Sequence, residues 1–132
     1  VLMRSSMHIL NDLPPSQWRL RDHANIIYTF FPTTQLLVQQ DHIVWINSRP
    51  VSATETELRL VTLAPMSRLE DDEYWEKNHR ITSNTLNEDF VIGESIQAGL
   101  ATGANEHMTF GRFEGALPEF NRVVKRYTSA QA

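Results

Sequence analysis

Short apolar segments separated by turn residues fill the first half of the chain. From Asn25 to Ala64 the sequence is rich in Ile, Val, Thr and aromatic residues, and short polar or proline-containing steps interrupt it at the spacing of antiparallel strands. The pattern predicts four strands, at about 24–31, 34–40, 43–49 and 56–64. The last strand has apolar residues at both odd and even positions, so alternation does not assign its inner face.

Helical spacing dominates the second half. Acidic residues crowd positions 70–73, where the dipole of a helix favours negative charge, and no Gly or Pro follows before Gly93. We expect a helix to begin near residue 70. A break or bend is expected at the polar stretch 82–85 because its helix propensity is poor, with a second helix over about 86–101.

Shorter elements complete the predicted order. A short strand is expected near 108–113, followed by a last helix with Pro118 in its first turn. Residues 1–23 mix polar residues with a Pro-Pro step and are interpreted as a connecting segment. Strands first and helices afterwards indicate an α+β fold, with helix packed on an antiparallel sheet.

Composition restricts the function classes. A chain of 132 residues is one domain's worth, and a net charge of −4 without any basic run argues against nucleic acid or an anionic membrane surface as a partner. The absence of cysteine excludes disulfides, thiolate zinc sites and an iron–sulfur cluster held by this polypeptide. No apolar run is long enough for a membrane span, so the expected compartment is the cytoplasm.

Asp89 is the principal candidate for chemistry. At about 100° per residue, apolar or small residues surround it on one helix face: Leu86, Ile92, Gly93, Ile96 and Leu100. We therefore expect this carboxylate to point inward, where it needs a cation, a donor network or a metal. It could act as a metal ligand, a general base or a structural acid paired with ordinary donors.

Other reaction classes are less well supported. Glu94 lies roughly 140° from Asp89 around the helix, so a paired-carboxylate glycosidase is a poor fit. None of the five histidines forms a pair that could seat two imidazoles on one metal from a single helix. Ser95 lacks a nucleophile-elbow context and the glycines lack phosphate-loop spacing, which argues against hydrolase and nucleotide chemistry.

Three parts of the sequence carry a family resemblance: Phe30-Phe31-Pro32, His42-Ile43-Val44-Trp45, and above all Glu88-Asp89 followed by Glu94-Ser95-Ile96-Gln97-Ala98-Gly99-Leu100. With them, the sequence over about residues 24–127 resembles the C-terminal part of the catalytic domain of Rieske non-haem iron oxygenase α-subunits, the aromatic-ring-hydroxylating type. In that family the acidic ligand of a mononuclear Fe(II) lies eight residues before the Gln of this motif. Asp89 has that position relative to Gln97.

The resemblance implies a fold and a set of roles. The family fold is a helix-grip, START/Bet v 1-like domain, an antiparallel sheet around a long helix, of which residues 24–132 would be the C-terminal part, incomplete at its N-terminal side. Asp89 is then a ligand in a facial triad of two His and one carboxylate, which leaves positions on iron for dioxygen. Glu94 and Gln97 are expected to support the ligand's helix, and Phe30, Ile92 and Ile96 to line the substrate pocket.

The resemblance also implies metal ligands, a cofactor and partner proteins that are not part of the matched segment. The two His ligands lie in a family segment N-terminal to the match, and the Rieske [2Fe-2S] cluster belongs to a separate, more N-terminal domain. Electrons are expected from a reductase, the substrate is expected to be a small aromatic or similar organic molecule, and assembly is expected to be a trimer-like homo-oligomer. Dioxygenase and monooxygenase chemistry both stay open.

Two interpretations of the missing ligands remain. The sequence is either a fragment of a full-length oxygenase, which we favour, or a truncated homologue that has kept the pocket and lost the metal site. In both cases we expect the chain alone to be inactive. The alternative function is a non-enzymatic helix-grip module that binds an apolar small ligand without metal.

Overall fold

An antiparallel sheet organises the first of the two units into which the chain divides, Val1–Glu88 and Asp89–Ala132. The computed structural model describes residues 2–4, 12–104 and 107–129. Over these residues the sheet has five strands in sequence order, each antiparallel to the next. They are β1 (Leu2–Arg4), β2 (Ala24–Phe30), β3 (Thr34–Val38), β4 (Ile43–Pro50) and β5 (Thr56–Leu63). The four predicted strands are confirmed as β2 to β5.

The described residues form three α-helices, α1 (Leu20–His23), α2 (Asp72–Ala101) and α3 (Ala116–Ser129). Single 3-10 turns precede α1 and α2, at Pro15–Gln17 and Met66–Arg68. Two carboxylates lie in the first turn of α2, where they complement the helix dipole. Pro118 lies in the first turn of α3, as predicted.

The first half of α2 packs against one face of the sheet. Val44 of β4 and Thr62 of β5 are paired, so their side chains leave the same face. The Thr62 hydroxyl lies 2.9 Å from Nδ1 of His79, which places α2 over this face. Within the described residues, the buried hydrophobic side chains are Ala24, Val44, Ile46 and Trp75. The α+β prediction is confirmed, and a sheet with a long helix on one face is consistent with a helix-grip arrangement.

The predicted break at residues 82–85 is wrong, because α2 continues through this stretch to Ala101. Thr85 donates its hydroxyl to the carbonyl oxygen of Ile81 at 3.0 Å, one turn earlier on the same helix. A polar residue of low helix propensity is thereby accommodated within the helix. Thr82 is also half-buried, so contacts on the covered side of α2 outweigh the weak local preference.

The predicted strand near 108–113 is also wrong. Residues 107–113 contain no strand, and the backbone N–H of Glu114 donates to the carbonyl of Gly111 at 3.0 Å, closing a turn ahead of α3. At the other end of the chain, β1 and α1 lie within the segment 1–23 that was interpreted as a connection. The domain boundary after residue 23 stays a prediction.

Candidate functional site

Asp89 lies in α2 with its side chain exposed. The expectation that it points into a covered interior is wrong for the described part of the chain, since every residue from Asn87 to Ala104 is exposed. Burial along α2 is confined to an earlier stripe, which comprises Trp75, Asn78, His79, Thr82 and Leu86. Hydrophobic periodicity identifies the side of a helix that is suited to packing, but it does not supply the element that packs there.

The other predicted site residues are also on the surface. Glu94 and Gln97 are exposed on α2, and Ile92 and Ile96 are 56% and 52% exposed on the same helix. Phe30 is 53% exposed at the end of β2. Asp89, Ile92 and Ile96 share one side of α2 by helical spacing. The roles given to these residues stay predictions.

Among the residues that the structure describes, no three His, Asp or Glu side chains come together in a way that could hold a metal ion. Asp89 therefore does not belong to a three-ligand metal site within this part of the chain. The donor set of a two-His, one-carboxylate iron site does not fit the described residues as they stand.

A second polar cluster joins the start of β4 to the start of α2. Asp41 accepts hydrogen bonds from Tyr74 Oη at 2.6 Å, His42 Nδ1 at 2.7 Å and Arg68 Nη1 at 3.2 Å. Arg68 also donates to Asp71, and its guanidinium lies 4.7 Å and 5.0 Å from the ring centroids of Tyr74 and Trp75. The cluster connects the sheet to the helix through charge-assisted hydrogen bonds.

These contacts keep the Asp41 carboxyl ionised. The hydrogen bond from Tyr74 and those from His42 and Arg68 together lower the pKa of Asp41 to about 2, against the opposing effect of desolvation. The same contact raises the pKa of Tyr74, because the phenol proton is held by the carboxylate. Asp41 is thus an anion over the whole physiological pH range.

His42 is the buried polar residue of this cluster. Its side chain is 2% exposed, and its ring meets that of Trp75 edge-on, with centroids 5.7 Å apart and planes at 65°. Nδ1 is bonded to Asp41, whereas Nε2 is buried and has no hydrogen-bond partner in the part of the chain that the structure describes. The sequence analysis did not predict the burial of His42. His42, Val44 and Ile46 follow one another at intervals of two residues, and this alternation was the available signal.

An open groove lies at the beginning of α2. It has a volume of about 510 Å³ and is lined by Glu70, Asp71, Asp72, Glu73, Tyr74 and Lys77. Its lining is mainly acidic and contains none of the residues predicted for the site. No helix in the described ranges is both long and apolar enough to cross a membrane.

Comparison with known proteins identifies the family. The family model for the ring-hydroxylating α-subunit, catalytic domain, matches residues 4–130. The chain belongs to this family. No curated protein and no solved structure matches the sequence.

Membership in the ring-hydroxylating α-subunit family confirms the resemblance stated from the sequence. The match begins about twenty residues before the segment on which that resemblance rested, so much of the stretch 1–23 is also covered by the family model. A hydroxylating oxygenase is the general function of the family. Its full-length members carry non-haem iron and a Rieske cluster, whereas the described residues of this chain contain no metal-binding group.

Proposed function

We propose that this chain is the C-terminal part of the catalytic domain of an oxygenase α-subunit that uses mononuclear Fe(II) and dioxygen to hydroxylate a small aromatic or similar organic substrate. Asp89 is the carboxylate ligand in this proposal. The other two ligands are His side chains from elsewhere in the full-length protein, and electrons arrive from a reductase through a Rieske cluster in an oligomer. The isolated chain is inactive.

The family match over residues 4–130 carries the proposal. Within that match, Asp89 lies on α2 eight residues before Gln97, the spacing that the family's acidic ligand has from the corresponding Gln. An exposed carboxylate among exposed Ile side chains is also what this helix would present if a further part of the full-length protein covered it.

Each of the site residues on α2 has one role in this proposal. Asp89 supplies one anionic oxygen donor, which suits a divalent cation. Iron held by Asp89 and the two His side chains would supply the dioxygen chemistry. Glu94 and Gln97 stabilise the helix segment that carries the ligand, and Ile92 and Ile96 offer apolar surface to the substrate and exclude water from it.

The direct test replaces Asp89 in the full-length oxygenase. Asp89→Ala is expected to lower the iron content well below one per mononuclear site and to reduce product formation by more than about a hundredfold, since even residues that only orient a ligand cost 10- to 100-fold. Iron is measured by mass spectrometry after Rieske iron is subtracted, and product by chromatography.

Glu88→Ala is the matched control. It removes the neighbouring carboxylate, which lies about 100° away around α2 and is exposed in the structure. It is expected to retain iron and activity. If iron content and product formation both survive Asp89→Ala, the assigned role is wrong, and a full-length protein that purifies without iron yet binds apolar ligands would favour the non-enzymatic module.

A further inference from the structure

The covered side of α2 continues beyond the last half-buried residue of the helix. Trp75, Thr82 and Leu86 mark this side in the first half of α2, where Trp75 is buried and the other two are half-buried. At about 100° per residue, Asp89 and Gly93 each lie within about 60° of all three around the helix axis. Both are exposed over the described residues. One side of a single helix thus passes from covered to uncovered without a change of direction.

Gly93 is the residue on this side that local packing does not explain. Glycine in a helix interior is less stable than alanine. A Cβ built at Gly93 would meet no atom within 4 Å, and its φ is not positive, so neither space nor backbone conformation requires glycine in the described chain. A helix position without a Cβ does allow another segment to approach the backbone closely. The side of α2 around Gly93 is therefore suited to a close contact.

The chemistry next to Gly93 restricts what can make this contact. Asp89 lies one turn earlier, and Ile96, which is 52% exposed, lies within about 60° of both residues. Once such a side is covered, an ionised carboxylate among apolar groups needs a cation or donors opposite it. Within the described ranges no further His, Asp or Glu pair completes a metal site. The contacting segment must therefore be apolar and must itself bring the groups that compensate Asp89.

We propose that Gly93 is a positioning residue, at which an apolar segment of the full-length oxygenase outside this chain crosses α2 in close contact and brings its metal-binding side chains to Asp89. The proposed function enters in one respect, namely that the metal is the mononuclear iron. Continuity identifies the contact, because the segment prolongs the coverage that α2 already has at Trp75 and Leu86. A side chain at position 93 pushes the segment, and the ligands that it carries, away from Asp89.

Gly93→Ala and Gly93→Leu in the full-length protein distinguish a close crossing from helix propensity. Both substitutions raise helix propensity, so an uncovered helix becomes more stable with either. A close crossing gives the reverse, with a loss that grows with the size of the side chain. In iron-free protein the midpoint of thermal unfolding is expected to fall by about 2–4 °C in Gly93→Ala and further in Gly93→Leu. The dissociation constant for added Fe(II) at the mononuclear site is expected to rise about tenfold or more.

Ala98→Leu is the matched control. It adds the same side chain to the same helix at an exposed position about 140° from Gly93, and it is expected to leave the midpoint and the Fe(II) affinity unchanged. A midpoint that rises in both Gly93 variants, or equal losses in Ala98→Leu, would overturn the proposal. So would an oligomer that dissociates in Gly93→Leu, by light scattering, with unchanged Fe(II) affinity, since this side of α2 would then contact a second copy.

Asp89→Ala, measured alongside, separates the crossing from the proposed function. If Asp89→Ala loses iron while Gly93→Leu changes neither the midpoint nor the Fe(II) affinity, the proposed function stands and the crossing is overturned. If Asp89→Ala retains iron, the proposed ligand is removed. A lower midpoint of iron-free Gly93→Leu would then still support the crossing itself.

Discussion

Asp41 holds together side chains from two elements that are distant in sequence. Its carboxylate accepts hydrogen bonds from His42 at the start of β4, from Arg68 in the turn before α2 and from Tyr74 in α2 itself. Trp75 adds a bond from its indole N–H to the Arg68 carbonyl at 2.6 Å. An ionised carboxylate with three donors stabilises the folded state more than its neutral form would.

The contribution of Asp41 to the free energy of unfolding is expected to depend on pH. Its pKa is about 2 in the folded chain and 3.8 in a free side chain, so the stabilisation is complete above about pH 4 and disappears as the pH falls towards 2. Asp41→Asn is expected to lower the free energy of unfolding by about 1 kcal/mol at pH 7, less than the full shift implies because the carboxyl is partly exposed.

Urea unfolding of the chain, followed by tryptophan fluorescence at several pH values, measures this difference. The gap between wild type and Asp41→Asn should close between about pH 4 and pH 2. Asp12→Asn, in an exposed segment, serves as the control and should leave stability nearly unchanged at pH 7. A gap that stays constant down to pH 2 would contradict the assigned role of the carboxylate.

Asp89 and His42 show that the sequence pattern does not determine whether a side chain is buried or exposed. Helical spacing located Asp89 among Ile and Leu residues, but the exposure of that face depends on what packs there, and spacing carries no such information. The sequence pattern did not predict that His42 is buried. Its burial depends on Trp75, which is more than thirty residues away and reaches it through the tertiary fold.

At the scale of elements, α2 is a single helix of 30 residues with two glycines in its second half. A Cβ built at Gly93 or at Gly99 would meet no atom within 4 Å. Neither position therefore requires glycine for space in the described chain. Gly103, which follows the end of α2, differs because its φ of +70° is a conformation that other residues rarely adopt.

Gly93→Ala is accordingly expected to stabilise the isolated chain by about 0.5–1 kcal/mol, through the better helix propensity of alanine. Gly103→Ala is the opposing control and is expected to destabilise it by about 1 kcal/mol or more, because the Cβ is strained at positive φ. Thermal unfolding followed by helical circular dichroism gives both values. A loss of stability in Gly93→Ala would mean that this side of α2 is packed after all.

The sheet strands were predictable because each signal is local. Apolar runs bounded by turn residues fall at β2 to β5, and neighbouring strands pair in sequence order. The continuity of α2 through residues 82–85 was not predictable from local helix propensity. It depends on tertiary contacts, namely the hydrogen bond of His79 with Thr62 and the half-burial of Thr82. Residues 108–113 do not form a strand, and no strand within the described ranges pairs with them.

At the scale of the whole molecule, the family assignment and the site assignment rest on different amounts of sequence. The family model covers residues 4–130, whereas the iron site rests on the proposed role of Asp89. A facial triad draws its ligands from separate segments, and Asp89 is the candidate ligand that the sequence offers. The exposed apolar side of α2 around Asp89 lies within the family match and also carries the proposed iron ligand.

Anomalous scattering at the iron edge from crystals of the full-length protein tests the central claim most directly. The proposed function predicts, besides the Rieske iron atoms, one iron peak within bonding distance of an Asp89 carboxylate oxygen, with two His nitrogens completing the ligand set. A mononuclear iron peak away from Asp89, or an Asp89 side chain that faces solvent in a fully loaded enzyme, would contradict it.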